Sequence, residues 1–205
     1  MIIEKEIESD LEKIVEILTF SRQLAYDSYK MLMTDSDSSE MFSVIARDKF
    51  LTRVRDSFFK LAIIELTKLY GNKKNNHYSF EALFDSLKKY TDKISLEEIT
   101  TLYADITNEE MFTKINNLIE IRDKHYAHTD KNPKRNLYCI KLQFKDISYL
   151  IEKAEIFINS LSIKILNKSI PFSKYDGGEM NEFFDKHLEY IKLAGLYNLS
   201  LEKRK

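Results

Sequence analysis

An all-α fold, a bundle of about five to seven helices, is what this chain predicts. Three observations carry that expectation. The 205 residues include only four glycines and two prolines, too few for the many turns that a sheet-rich fold needs. Apolar residues recur at spacings of three and four along most of the chain, the signature of helices with one inward face. The apolar fraction is 43%, the charged fraction 32% and the net charge −1. Such a balance suits a water-facing bundle of one domain, and nothing global draws it to nucleic acid or membrane.

The elements follow in chain order. Ile3, Ile7, Leu11, Ile14, Leu18, Ala25, Tyr29 and Leu32 predict a long amphipathic helix that ends near Met33, where TDSDSS supplies turn residues. A second helix is expected from about Glu40 to Tyr70. Its main face is Phe50, Val54, Phe58, Ala62, Leu66 and Leu69, widened by Phe59 and Ile63. So broad an apolar arc belongs at the centre of a bundle or shares a face with a partner chain. Gly71 reads as a C′ glycine that stops it. A short helix is expected over Phe80 to Tyr90. Ser95 with Glu98, and again Thr107 with Glu110, form capping-box patterns that each open a further helix. Met111, Ile115, Leu118 and Arg122 line the last of these.

The loop TDKNPKRN contains Asn132-Pro133, which disfavours helix, and LYCIKLQF alternates weakly enough to be extended. Ile147, Ile151, Ala154, Ile158, Leu161 and Ile165 then give the cleanest helical period in the chain. Pro171 and Gly177-Gly178 interrupt it, and a last helix is expected over Glu179 to Ala194, carrying Phe183, Phe184, Leu188 and Ile191. The organisation is therefore a bundle over residues 1–167. Residues 168–205 form a linker and a C-terminal helix packing on the bundle or a partner. The lone Cys139 cannot form an internal disulfide, which fits a reducing compartment. No apolar run approaches the roughly 18 residues of a membrane span. The N-terminal stretch lacks the basic start and apolar core of a signal peptide. A cytoplasmic protein is the resulting expectation.

Chemistry concentrates in Ile121 to Asp130, IRDKHYAHTD, which holds an arginine, two histidines, a tyrosine and two aspartates. Tyr126 lies four residues after Arg122, near the same helical face. His128 lies six residues on, about 120° round the helix. Arg122 and His128 therefore converge only if the helix ends or bends between them. If they do, histidine can move a proton at cellular pH. Arginine offers a planar fork that matches phosphate. That pair suffices to cleave RNA without a metal, because the ribose carries its own nucleophile.

Plainer readings stand beside this one. Arg122 can pair with Glu120, Asp123 or Asp130, and His128 can serve a helix C-terminus. His125, His128 and Asp130 have the spacing of a weak metal site, but no HExxH-like partner accompanies them. Lys73, Lys74, Lys131, Lys134 and Arg135 are as well explained by solvated loops as by RNA guidance. No glycine-rich phosphate loop or nucleophile motif is present.

The stretch IRDKHYAH resembles the signature of the HEPN superfamily (higher eukaryotes and prokaryotes nucleotide-binding domains), an arginine followed after four to six residues by a histidine. Its fuller form, Ile-Arg-(Asn/Asp)-Lys-x-x-Ala-His, is similar to the AbiU-type abortive-infection branch. The long first helix and the broad second one ending in KLYG agree, so the resemblance covers roughly residues 1–165. It implies a HEPN-like helical bundle and a metal-independent endoribonuclease of a defence or toxin system. It places the catalytic pair on Arg122 and His128, with no cofactor and no metal. The polar residue that often follows the arginine falls on Asp123, where asparagine is common and where a carboxylate repels phosphate. Lys124, Tyr126 and Lys131 are the candidate RNA contacts. A homodimer is implied too, with two Arg/His sets lining one cleft and Phe59 and Ile63 at the join. An antitoxin or defence-system partner would fit such a protein. A non-catalytic HEPN-like module that binds nucleotide, RNA or protein stays open as the alternative.

Overall fold

The computed structural model describes residues 2–31, 49–89, 94–123 and 142–172, with positions 178, 182, 186, 189–190 and 193. Among the described residues there are six helices and no strand: α1 (Ile2–Lys30), α2 (Lys49–Tyr70), α3 (Phe80–Leu87), α4 (Leu96–Thr107), α5 (Glu109–Ile121) and α6 (Phe144–Leu166). Positions 182, 186, 189–190 and 193 are helical, as the period after Glu179 predicts. Phe183, Phe184, Leu188 and Ile191 lie outside the described residues. No described helix is long and apolar enough to cross a membrane.

Three helices build the core. On α1 the buried positions are Ile7, Leu11, Ile14, Leu18, Ser21, Ala25 and Ser28, an unbroken alternation of four and three. The serines and Ala25 are small, which suits close approach by the helix packed along them, and α1 makes its most extensive contact with α2. Buried Ala62, Ile63, Leu66 and Leu69 of α2 complete that layer. α6 closes it with Ile147, Leu150, Ile151, Ala154, Phe157, Ile158, Leu161 and Ile165. All belong to one apolar cluster, and each fully buried Leu or Ile contributes roughly 1.5–3 kcal/mol. The Tyr70 hydroxyl donates to the Leu150 carbonyl at 2.7 Å, tying α2 to α6. Burial pushes the Tyr70 phenol far above its ordinary range. Phe80 sits edge-on to both Tyr70 and Phe157, with ring centres 5.0 and 5.5 Å away.

Several boundaries and faces differ from the sequence expectation. α1 stops at Lys30, short of Met33, and the start of α2 expected at Glu40 lies outside the described residues. Phe50 was expected on the inward face but is 67% exposed, whereas Ile63 is wholly buried and Phe59 packs against the bundle's own core. Ile63 and Phe59 are therefore engaged within the monomer, because α1 and α6 cover both flanks of the broad arc. Gly71 does end α2, but it does so through close packing. A Cβ there would come within 2.5 Å of Asn76 Nδ2 and 2.6 Å of the Thr67 carbonyl. The left-handed cap belongs instead to Asn167, after α6, at φ 54°. Phe144, expected in an extended stretch, opens α6. Leu137 to Ile140 lie outside the described residues.

The capping boxes divide. Ser95 and Glu98 form one, each bonding the other's backbone N–H at 3.2 Å. Thr107 does not: its hydroxyl donates to the Tyr103 carbonyl within α4. Asn108 caps α5, its side-chain oxygen accepting from the Met111 N–H at 3.0 Å. The amide side chain one residue on reaches the orphan N–H better than a threonine still committed to the preceding helix.

Candidate functional site

Asn108 starts α5, and Met111 and Leu118 bury its inner face completely. Two polar contacts then set its direction. Lys114 Nζ meets Asp146 Oδ1 at 3.0 Å, and the Tyr149 hydroxyl donates to Glu110 Oε2 at 3.1 Å. Residue numbers fall on α6 as they rise on α5, so the helices run antiparallel and α5 points its last turn toward the start of α6. Burial pushes the Asp146 carboxyl up, but the Gln143 N–H and Lys114 outweigh it and hold the group below its ordinary value. The same carboxylate accepts from the Gln143 N–H at 2.9 Å and caps α6.

Arg122 is the residue on which α5 ends. Its backbone N–H still reaches the Leu118 and Ile119 carbonyls, and the coil widens into a π turn over Arg122 and Asp123. Such a widening rotates the side chains that follow it away from the α-helical sequence of directions. The change of helical path that convergence of Arg122 and His128 requires therefore begins at Arg122 itself. His128, Lys124, Tyr126, Lys131, His125 and Asp130 lie outside the described residues.

Arg122 is half-buried, its side chain 26% exposed, and Asp123 is more open at 49%. Arg122 Nε and Nη2 both approach Asp123 Oδ1 at 2.7 Å. Of the pairings that the sequence left open, Asp123 is thus a partner the guanidinium takes. The carboxylate lies along one edge of the fork and offsets its charge. An exposed pair of this kind is worth only about 0–1 kcal/mol. A phosphate bound in two-point fashion competes well against it.

The loop lysine Lys73 does not stand free for RNA. It pairs with Asp85 and approaches Glu81 at 3.7 Å, and these carboxylates hold its ammonium above its ordinary value. Lys74 is exposed. Lys134 and Arg135 lie outside the described residues.

A second arginine–carboxylate pair escaped the sequence reading. Arg22 Nη2 on α1 bonds Glu155 Oε2 on α6. Glu155 is 8% exposed. Burial pushes its carboxyl up, Arg22 draws it back down, and Glu152 adds to the rise. The available signal was Glu155's place beside Ala154, four residues after Ile151, inside the stripe that otherwise holds only apolar side chains.

A bundle with a long first helix, a broad second helix packed along it and a short helix ending in the arginine of an Arg-x₅-His stretch is the HEPN class of helical domain. Residues 8–183 match the family model described as AbiU2, a HEPN family. The chain belongs to that AbiU-type branch of the HEPN superfamily. No curated protein and no solved structure matched the chain.

Proposed function

We propose that this protein is a metal-independent endoribonuclease of an abortive-infection or toxin system. The observation that carries the reading is Arg122 at the point where α5 leaves its regular path, in a chain of the AbiU-type HEPN family. Its guanidinium is partly open and held by a weak, exchangeable carboxylate contact. In the proposed reaction an RNA phosphate displaces Asp123 and takes the Arg122 fork. The ribose 2′-oxygen attacks phosphorus, and the bond to the 5′-oxygen breaks. His128 takes the 2′-hydroxyl proton or supplies a proton to the leaving 5′-oxygen. Arg122 balances charge on the phosphorane. A cyclic 2′,3′-phosphate and a 5′-hydroxyl result.

General acid–base catalysis of this type contributes about 10²–10⁴ in rate. Electrostatic support from one well-placed donor adds about 10²–10³. Lys124, Tyr126 and Lys131 would contact the RNA, and a second copy of the chain would supply the other Arg/His set of the cleft. The expected setting is cytoplasmic, with an antitoxin or defence-system partner restraining the activity. The test is incubation of the purified protein with total RNA in EDTA. Cleavage should be present in the wild type and absent in Arg122→Ala and His128→Ala, with helix content unchanged in both. Cleavage surviving in either variant removes the role assigned to that residue.

A further inference from the structure

A cleft of about 490 Å³ opens between α1 and α6, lined by Arg22, Tyr26, Phe144, Glu152, Glu155 and Phe172 among others. Its volume lies in the range of about 300–1,000 Å³ typical of small-molecule sites. The proposed cleavage does not use it. Its polar wall is built rather than solvated, because Glu155 is a nine-tenths buried carboxylate held by Arg22. That pair is only half satisfied. Arg22 Nε and Glu155 Oε1 are both out of solvent contact and have no hydrogen-bond partner among the described residues. Orphaned buried donors and acceptors are rare in native proteins and call for a reason. Here an unused donor and an unused acceptor belong to two side chains that share one cleft wall.

The chemistry of that wall selects its ligand. One guanidinium faces two carboxylates, Glu155 and Glu152, so a phosphate or carboxylate ligand meets net repulsion. A cation meets Arg22. A neutral group carrying an acceptor beside a donor satisfies both orphans without adding charge. Tyr26, Phe144 and Phe172 supply flat apolar surface around it. Phe144 is held in orientation by stacking on Tyr29, with ring centres 4.0 Å apart and planes within 13°.

We propose that the α1–α6 cleft binds a flat, uncharged nitrogen heterocycle of nucleobase size through an N–H and a carbonyl on the same edge. A small turn of the Arg22 side chain brings its N–H and the Glu155 oxygen to the cleft surface, where the ligand's edge completes both.

The test is calorimetric titration of the full chain with guanosine and uridine, beside 1-methylguanosine and 3-methyluridine, which lack the ring N–H, and beside ribose 5-phosphate. At least one unmethylated nucleoside should bind at least about tenfold more tightly than its methylated counterpart, since loss of one buried hydrogen-bond partner has that scale of effect. Ribose 5-phosphate should not bind. Ser148 is an exposed residue of the cleft, and Ser148→Trp fills the space without touching the core. It should abolish nucleoside binding while leaving the circular dichroism spectrum unchanged. The proposal is overturned if neither guanosine nor uridine binds at millimolar concentration. Equal binding of the methylated analogues, or of ribose 5-phosphate, overturns it as well. The comparison of methylated and unmethylated ligands on the wild type decides the matter even if Ser148→Trp fails to fold. None of these readouts depends on RNA cleavage.

Discussion

Arg22 and Arg122 each hold a carboxylate, yet the two pairs differ in nearly every physical respect. Arg22 reaches across 133 positions of sequence to Glu155, joining α1 to α6. Arg122 takes its immediate neighbour, Asp123. Glu155 is 8% exposed, whereas the Asp123 side chain is 49% exposed. A buried carboxylate that loses its cation has no water to replace it. An exposed one does, so its pairing is weak and its arginine remains available. Burial and reach thus commit one guanidinium to the fold and leave the other free for an incoming anion.

The largest effect expected from this contrast is on catalysis. Arg122→Ala should lower RNA cleavage by about 10²–10³-fold, with urea denaturation moved by no more than about 0.5 kcal/mol. A destabilisation as large as that of an Arg22 variant would erase the distinction between the two residues.

Next in size is Arg22→Ala. It should destabilise the fold by about 2–3 kcal/mol, the lower end for a broken buried pair because Arg22 keeps some solvent contact. Arg22→Met combined with Glu155→Leu should recover most of that loss in the same denaturation assay. A double variant no better than the single would mean that the packing of the arginine stem, not its charge, is what matters.

The pH dependence of stability sharpens the contrast further. Glu155 has its carboxyl raised in the folded state, so the native protein binds that proton more tightly than the unfolded chain. Its contribution to stability is present below the ordinary carboxyl value and is lost as pH rises through the raised one. Asp146, lowered in the folded state, contributes above the ordinary value and loses that contribution as pH falls. Stability plotted against pH from about 4 to 7 should therefore climb more steeply in Glu155→Gln than in the wild type, and less steeply in Asp146→Asn. Parallel curves for all three proteins would contradict both assignments.

The smallest effect belongs to Asp123→Asn. Melting should shift by less than about 0.5 kcal/mol equivalent, the scale of an exposed pair. RNA affinity at low salt should rise a few-fold, because the amide no longer competes for the guanidinium. Weaker RNA binding would instead make Asp123 a positioning residue for Arg122.

Much of the fold was legible because its core is periodic. Ile7 to Ala25 on α1 and Ile147 to Ile165 on α6 are buried where the three-and-four spacing puts them. Ser95 and Glu98 cap α4 as their spacing predicts. Phe50 and Ile63 were misplaced for a shared reason. A helix apolar over a wide arc does not say which part of the arc its neighbours will cover, and only the packing of α1 and α6 on α2 decides that. Thr107 and Asn108 compete for one cap, and the choice depends on whether the preceding helix still holds the threonine.

The candidate site divides in the same way. Arg122 was legible as the arginine of a short, chemically dense motif that resembles a family signature, and its family is the one the chain belongs to. Its pairing with Asp123 was one of several open choices, settled by a π turn that no spacing rule reports. The Arg22–Glu155 pair and its cleft were not legible, because they join helices at opposite ends of the described core.

By itself the sequence determined what is local or periodic: the helices, most of their buried stripes, two of their caps' residue types and the motif at Arg122. Those follow from forces acting within a few turns of one chain segment. The tertiary structure decided which flank of a broad apolar helix is covered and which carboxylate each arginine holds. It also decided where a cleft stays open between two helices. Such outcomes turn on desolvation and packing between segments far apart in the chain, and no local pattern encodes them.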